Sequence, residues 1–510
     1  LTRPRRKTAL PAPGPSSRTW PIALGILALV YVVTGNLTPI SESDFWIQLR
    51  VGDEIRASGA IPRTIEYAFT EARDRPFVAH EWLSSVLTSS LYEVVGYRGM
   101  IVFKCVLATA VVALLFALAW RICRDPVVSV LIACAAATVM NFRFQMRPEI
   151  FAFLLALASL HCLLGFVRTG RRVWLAGLLP ISLVWANAHG SFVLNLLFPW
   201  ILLLGAAIDH LRSKGARRER VFRTYVPLAG AGLAIALVSL ANPYGLRMIT
   251  HSVEFGGADW LRDNLVEFGS TFGPRTRGSA YFWTYVAYLG IVVVSDARGF
   301  RRLDGASLLL LGLFGWMSAD AIRFTAWFAI AGTYAMAQTI ASERSPADTR
   351  KIALAGSAAL ALGIGIAALH GDVRGHRIGF RNEAPMSPEA LAFVGQAGIS
   401  GNVFNTFSHG DQLIHAFYPE IRVTIDSRVD AYGKAYYLGY RSLAGRSFDA
   451  LGAPGELVAF LDRWRVATIV TRPLDFKNWQ DKGHADALSR AGFGLAYSDP
   501  TTLVLRRAPR

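Results

Sequence analysis

Apolar runs close to twenty residues long recur from Trp20 to Leu369, each ended by arginines or a turn. A helix of that length covers the roughly 30 Å of hydrocarbon in a bilayer. The pattern therefore predicts about eleven membrane spans, near 20–40, 99–120, 126–142, 149–167, 173–189, 192–208, 224–241, 280–296, 304–319, 324–341 and 352–369. Beyond Leu369 the apolar runs shorten and alternate with helical periodicity. Strands are predicted at 401–406, 422–426, 466–471 and 502–505, and helices at 411–417, 457–464 and 485–491. The fold class expected is an α-helical polytopic membrane protein with a C-terminal soluble α/β domain: a tail at 1–18, a transmembrane domain at 19–369 and the α/β domain at 370–510.

Two segments between spans are long. Residues 41–98 carry helical patterning of their own, first Phe45, Leu49 and Ile55, then Trp82, Leu83, Val86, Leu87 and Leu91, separated by the turn Gly59-Ala60-Ile61-Pro62. Such stretches suit helices lying along a membrane surface. The segment 242–280 opens with Asn242-Pro243-Tyr244-Gly245 and continues with acidic, aromatic and glycine residues. Long ordered loops on a rigid scaffold commonly carry function.

Composition agrees with a lipid-facing surface: 53% of residues are hydrophobic and mean hydropathy is +0.35, more than the core of a soluble chain of this size requires. The net charge of +17 would suggest nucleic acid in a soluble protein. Here the charges lie between the apolar runs and read as topology signals, so no nucleic-acid partner is expected. With Arg3, Arg5, Arg6 and Lys7 in the cytoplasm, every second loop holds a basic cluster: Arg121/Arg124, Arg168/Arg171/Arg172, Arg212 to Arg223, Arg298/Arg301/Arg302 and Arg344/Arg350/Lys351. The orientation predicted is N-terminus inside and C-terminal domain outside a bacterial inner membrane. No small-x-small site follows the first span, which reads as an uncleaved signal anchor. The four cysteines, Cys105, Cys123, Cys134 and Cys162, fall in spans or on the cytoplasmic side, so no disulfide framework and no CxxC metal site is implied.

Once topology is set, the costly polar groups collect at the external ends of the spans. A charge at the bilayer centre costs ~2.5–3.5 kcal/mol on insertion scales and usually has a use. Glu42 and Asp44 follow the first span, His80-Glu81-Trp82 closes the long loop, and Arg143 and Arg147-Pro148-Glu149 link spans three and four. Asn187 and His189 close span five, Asn242 and Tyr244 follow span seven, and Asp320 and Arg323 link spans nine and ten. Arg143, Arg147 and Arg323 sit against the positive-inside bias. A lipid-linked phosphate would explain them, since a guanidinium matches phosphate oxygens bidentately; arginines snorkelling to headgroups are the other reading. Lys104 reads as a snorkelling lysine. Asp44 and Glu42 stand where a general base could meet a membrane-anchored donor and an aqueous acceptor, and equally where an acid caps a helix. In the soluble domain, His409, Asp411, Asp426, Arg428 and Asp430 follow predicted strands, where ligand loops of α/β folds sit and where turn residues also sit.

An acidic residue early in a long first external loop, many spans and an external C-terminal domain resemble the C-type membrane glycosyltransferases that use polyprenyl-phosphate sugars. Asp44-Phe45-Trp46, Arg50-Val51-Gly52, Gly59 to Thr64, His80-Glu81-Trp82-Leu83, Arg147-Pro148-Glu149, Asn242-Pro243-Tyr244-Gly245 and Ile425 to Asp430 further resemble a bacterial multi-pass set usually classed with them. The resemblance implies a sugar transfer from an isoprenoid phosphate to a lipid, glycan or protein hydroxyl at the external face. It implies Asp44 as the base with Glu42 beside it. Arg143, Arg147, Arg323 and His189 would bind the donor phosphate, with His80, Glu81, Asn242 and Tyr244 in support and the C-terminal cluster as the acceptor-binding candidate. Mg²⁺ or Mn²⁺ held by Asp44 and Glu42 is the candidate cofactor, since hard oxygen ligands suit either ion. Where the aminoarabinose and mannosyl transferases follow a late-loop His with prolines, this chain has His80-Glu81-Trp82 without them, a departure from the pattern that leaves the role of His80 open. A transporter or flippase of a lipid-linked or anionic solute, and a membrane scaffold in envelope assembly, are the rival readings. The first predicts Gly- or Pro-broken polar segments at mid-membrane and paired repeats, which the sequence lacks.

Overall fold

The computed structural model of the chain describes residues 15–212, 221–340, 351, 354–364, 378–444 and 451–508. Most of the N-terminal tail, the basic stretch at 213–220, the loop at 341–350 and the segment 365–377 that leads into the C-terminal domain lie outside the described residues. The helices of the first part are α1 (Pro15–Asn36), α2 (Asp44–Ser58), α3 (Trp82–Cys123), α4 (Pro126–Met140), α5 (Glu149–Thr169), α6 (Val173–Ala188) and α7 (Val193–Arg212). They continue as α8 (Val226–Ser239), α9 (Leu246–Gly256), α10 (Asp259–Asn264), α11 (Ala280–Gly299), α12 (Gly305–Asp320) and α13 (Thr325–Ile340), then α14 (Leu354–Ile364). Each predicted span overlaps a helix among the described residues; residue 341 and positions 352–353 and 365–369 of the last two spans lie outside them. Length and composition admit five of these helices as membrane-crossing: Trp82–Cys123, Pro126–Arg143, Glu149–Thr169, Gly190–Arg212 and Ala280–Arg302. Five further apolar helices are shorter, and α13 is buried along almost its whole length. The expectation of about eleven crossings thus stands on the pattern of runs and not on helix length.

Local chemistry sets the helix boundaries. Asp125 caps α4 by accepting from the Val127 and Val128 amides, and Asp304 caps α12 through the Ser307 amide. At Gly96, with φ 63°, α3 departs from helical geometry and divides into two helical parts, the second being the more apolar. Lys104 does not snorkel. Its ammonium is buried and donates to the Thr38 carbonyl at 2.8 Å and the Thr38 hydroxyl at 3.1 Å, closing the chain just past α1, because an ammonium has three donors and these oxygens lack helical partners.

The first external loop is not a pair of surface helices. α2 buries two faces. Phe45, Trp46 and Leu49 enter the core of the helical bundle, while Ile47, Val51 and Ile55 enter a core shared with the C-terminal domain. Against α3 the approach is close: a Cβ at Gly52 would lie 2.2 Å from the Ser85 carbonyl oxygen.

The C-terminal domain is a five-stranded sheet in the order β2-β1-β3-β5-β4, with β1 (Gly401–Asn405), β2 (Ile421–Val423), β3 (Thr468–Thr471), β4 (Phe493–Ser498) and β5 (Leu503–Arg507). β1 runs parallel to β2 and β3, whereas β5 is antiparallel to both β3 and β4. Its helices are α15 (Pro388–Gln396), α16 (Phe407–Phe417), α17 (Val429–Ala444), α18 (Pro454–Arg463), α19 (Pro473–Asp481) and α20 (His484–Arg490). The sheet does not end at β2. The Val423 amide donates to the Tyr67 carbonyl at 3.0 Å and the Phe69 amide to the Val423 carbonyl at 3.3 Å, so the first external loop extends the sheet at its edge. The strand β4 escapes sequence reading because Gly494, Leu495 and Ala496 are all exposed, without alternation.

Ser408-His409-Gly410-Asp411, which follows a predicted strand where a ligand loop or a turn is expected, is helical: the helix predicted from Asp411, α16, begins at Phe407. Gly410 is there for room: a Cβ on it would meet the Ile425 carbonyl oxygen at 2.0 Å. Gly439, in α17, has nothing within 4 Å of the corresponding position. Gly52→Ala and Gly410→Ala should each destabilise the full-length protein by about 1–3 kcal/mol through overpacking, whereas Gly439→Ala should stabilise it by up to about 1 kcal/mol through helix propensity. Thermal unfolding of the three variants in detergent checks the opposite signs.

Candidate functional site

Between one end of the helical bundle and the C-terminal domain lies a cavity of about 860 Å³. Asp44, Gln48, His80 and Glu81 reach it from the first external loop, Arg143, Arg147, Glu149, His189 and Arg323 from helix junctions, and Arg428 and Asp430 from the C-terminal domain. Seven residues that sequence reading scattered over five junctions, Asp44, His80, Glu81, Arg143, Arg147, His189 and Arg323, therefore share one chamber.

A continuous chain of charges crosses its floor. Pro148 precedes α5, placing Arg147 on the turn before the helix and Glu149 in its first turn, where the helix dipole favours a carboxylate. Arg147 donates through Nη2 to Asp44 Oδ1 at 3.1 Å and through Nη1 to Glu267 Oε2 at 3.1 Å. Arg143 donates to the same Glu267 oxygen at 3.0 Å and through Nε to Glu149 Oε2 at 2.6 Å. Asp44 is not a helix cap: the cap residue of α2 is Ser43, and Asp44 gives its carboxylate to Arg147. Its side chain keeps 29% of its surface open. Burial pushes the Asp44 carboxyl above the ordinary aspartate range, with Arg147 pulling the other way. For Glu267 burial also pushes upward, but Arg147 and Arg143 outweigh it and hold the carboxyl well below the usual range. Arg323 makes no ion pair among the described residues; its guanidinium lies 4.3 Å over the Phe268 ring. Asp320, its neighbour at the same junction, pairs instead with Arg262 at 3.0 Å.

A second cluster surrounds Glu81. Gln48 Nε2 donates to Glu81 Oε2 at 2.6 Å, and the His189 and His80 Nε2 atoms lie 3.4 Å and 3.6 Å from Oε1. The Ser191 amide donates to His189 Nδ1, which leaves the His189 proton on Nε2, facing Glu81. His189 lines the cavity with its Nε2 directed at Glu81. His80 donates through Nδ1 to the Val78 carbonyl at 3.2 Å.

Other expected residues have different places. Glu42 is buried and does not line the cavity. Asn242 folds the turn, donating to the Ser239 carbonyl and accepting from the Tyr244 amide, each at 2.8 Å. Tyr244 Oη accepts from the Ala79 amide at 3.0 Å and donates to the Pro62 carbonyl at 3.3 Å, so this turn braces the first loop beside His80. His409, Asp411 and Asp426 are fully buried inside the C-terminal domain and away from the lining. They face inward because α16 is held against the strands by Gly410: His409 bonds Thr406 and the Pro385 carbonyl, Asp411 accepts from the Ser427 amide, and Asp426 binds Arg428 in a two-pronged pair with contacts of 2.9 and 2.6 Å. Arg428 is further sandwiched by the Tyr67 and Phe77 rings at 4.7 and 4.8 Å.

Sequence reading missed Glu267, His251 and Gln48. Each is a counter-group whose partner is distant in sequence, and no local spacing marks it. Among the described residues one group of three His, Cys, Asp or Glu side chains could hold a metal: His80, His251 and Asp430. It is not the Asp44 and Glu42 pair expected to bind Mg²⁺ or Mn²⁺. The four cysteines are free.

No known family's pattern matches the chain, and no curated protein matches it. Solved structures do. The oligosaccharyltransferase AglB of Archaeoglobus fulgidus, in complex with an inhibitory peptide and a dolichol-phosphate, aligns over 97% of this chain and 75% of its own, at 10% identity and a TM-score of 0.59. ArnT from Cupriavidus metallidurans bound to undecaprenyl phosphate aligns over 96% and 99%, at 12% identity and 0.54. The mycobacterial arabinofuranosyltransferase AftD aligns over 97% of this chain and 40% of its own, at 12% identity and 0.50. The chain shares its fold with these transferases over nearly its whole length.

The Asp426–Arg428 pair is dry, with Asp426 0% and Arg428 8% exposed. Removing one partner of such a pair strands a buried charge. Asp426→Ala should lower the stability of the full-length protein by about 3–5 kcal/mol, read from chemical denaturation followed by tryptophan fluorescence.

Proposed function

We propose that the protein is a membrane glycosyltransferase that moves a sugar from a polyprenyl-phosphate donor to a hydroxyl on a lipid, glycan or protein at the external face of a bacterial inner membrane. The observation that carries this reading is Asp44 on one wall of the cavity, bonded to Arg147, with Arg143 and Arg323 lining the same chamber. A carboxylate beside guanidiniums is the pairing that displacement at an anomeric carbon requires: a base for the incoming hydroxyl and cations for the departing phosphate. The acceptor oxygen bonds to the anomeric carbon as the bond from that carbon to the phosphate oxygen breaks. The electron pair leaves with the phosphate, and the acceptor proton passes to Asp44. The upward push of burial on Asp44 suits a base that must hold that proton.

In this reading the donor phosphate competes with Glu267 and Asp44 for Arg147, and Arg323, which has no carboxylate partner among the described residues, meets it first. Glu81, held by Gln48, orients the end of the first loop. On the acceptor side, Arg428 and Asp430 reach the cavity from the C-terminal domain. The bound polyprenyl phosphates of the archaeal oligosaccharyltransferase and of ArnT support the donor class. We place the N-terminus in the cytoplasm and the cavity outside.

In a deletion strain, mass spectrometry should find a polyprenyl-phosphate sugar accumulating and one envelope glycan lost, with wild-type protein restoring both. Asp44→Asn should insert normally and lose transfer by ~10²–10⁴, and Glu42→Gln should lose less. Full restoration by Asp44→Asn would sink the assignment of the base. Arg147→Ala should weaken binding of undecaprenyl phosphate to the purified protein, and Arg147→Lys should recover it only in part, lacking the planar fork. Reporter fusions after Arg172 and Arg301 should read cytoplasmic and those at Asp259 and Asp430 external; the reverse pattern would remove the site from the external face.

A further inference from the structure

The wall of the cavity away from the Asp44–Arg147 pair brings together three side chains from three segments. His80 ends the first external loop, His251 lies in α9 of the second, and Asp430 stands at the start of α17 in the C-terminal domain. One ligand atom from each lies within 4.8 Å of the others. His251 Nε2 and Asp430 Oδ2 are 3.2 Å apart, yet both atoms are buried and neither has a hydrogen bond of good geometry. Buried polar atoms left without partners are costly and rare, and two facing one another across a cavity wall call for something between or beside them. His80 Nδ1–H donates to the Val78 carbonyl, the outer-sphere arrangement that orients metal-ligating histidines, and its Nε2 faces Glu81 Oε1 at 3.6 Å, a contact and a proton that a metal ion at this position would displace.

We propose that His80, His251 and Asp430 form a divalent transition-metal site of the zinc class, tying the C-terminal domain to both external loops and leaving one coordination position open to the cavity. Two imidazoles and one carboxylate are a ligand set that Zn²⁺ takes with a fourth position for water or substrate, whereas Mg²⁺ prefers oxygen ligands throughout. With metal–ligand bonds near 2.0–2.2 Å, neighbouring ligand atoms of a tetrahedral site stand roughly 3.3 Å apart. The His251–Asp430 separation of 3.2 Å is already close to that value, and the His80 ligand atom, within 4.8 Å of both, would close by up to about 1.5 Å. A phosphate or hydroxyl oxygen in the cavity can take the fourth place. The site is independent of the sugar-transfer reading, since metal binding is measured without any turnover.

The test uses the full-length protein in detergent, stripped with a chelator and titrated with Zn²⁺ against a chromophoric competitor. Metal content is counted by plasma mass spectrometry and the site is probed by Co²⁺ absorption. One Zn²⁺ per chain is expected, and the Co²⁺ form should show the intense visible bands of a four-coordinate site. His251→Ala, His80→Ala and Asp430→Asn should each weaken binding by at least the ~10–100-fold that loss of an outer-sphere partner already costs, and abolish the Co²⁺ bands. His251→Gln, with the elution profile of the wild type on size exclusion, guards against misfolding as the cause. Wild-type protein that binds no more metal than the triple variant, or single variants that bind undiminished, would overturn the site and leave His251 and Asp430 as an ion pair.

Discussion

The geometry of the site depends on how the first external loop is held. α2 is held on two sides, one packed into the bundle and the other into the C-terminal domain, and between them it opens Asp44 and Gln48 to the cavity. A few residues later the same loop adds backbone hydrogen bonds to the edge of the C-terminal sheet at Val423. An exposed sheet edge invites pairing with any extended chain, and here the chain's own loop satisfies it. Because the loop is bound at both places, the domain is seated over the external helix ends and Asp44 is fixed relative to Arg147. The cavity is the space this clamp encloses.

Inside that space electrostatics and solvation pull against one another. Moving carboxylates and guanidiniums out of bulk water is expensive, and the cost is met only when every charge has a partner of good geometry. Glu267 supplies this for Arg143 and Arg147 at once, while Asp44 takes the remaining edge of Arg147. The arrangement is balanced but exchangeable. An anion that enters finds guanidiniums already aimed into the chamber and replaces one carboxylate contact by another, so the reorganisation needed on binding is small. The buried Asp426–Arg428 pair, by contrast, is closed on both sides by aromatic rings and serves the packing of the C-terminal domain.

The helices of the membrane part were legible because hydrophobic run length is a direct physical requirement of lipid. The convergence of Asp44, Arg147 and Arg323 was legible for a related reason: polar groups excluded from hydrocarbon must collect at helix ends, and alternating basic loops tell which ends lie together. What was not legible depended on contacts remote in sequence. Glu267 lies among acidic and aromatic residues with nothing to single it out, and only the fold brings it against Arg143. Gly410 looks like a turn signal, yet it is a helical glycine admitted for the close approach of a carbonyl. α17 was missed because Gly433, at φ 74°, interrupts its periodicity. Lys104 resembled a snorkelling lysine because periodicity says nothing about which carbonyls lack donors.

That lysine bears on how the protein is made. The oxygens at Thr38 obtain their ammonium donor from a residue 66 positions downstream. The end of α1 acquires this protein partner only once α3 is in place beside it, so the two helices are completed as a pair. A misplacement of either would leave a buried ammonium and several carbonyls without partners.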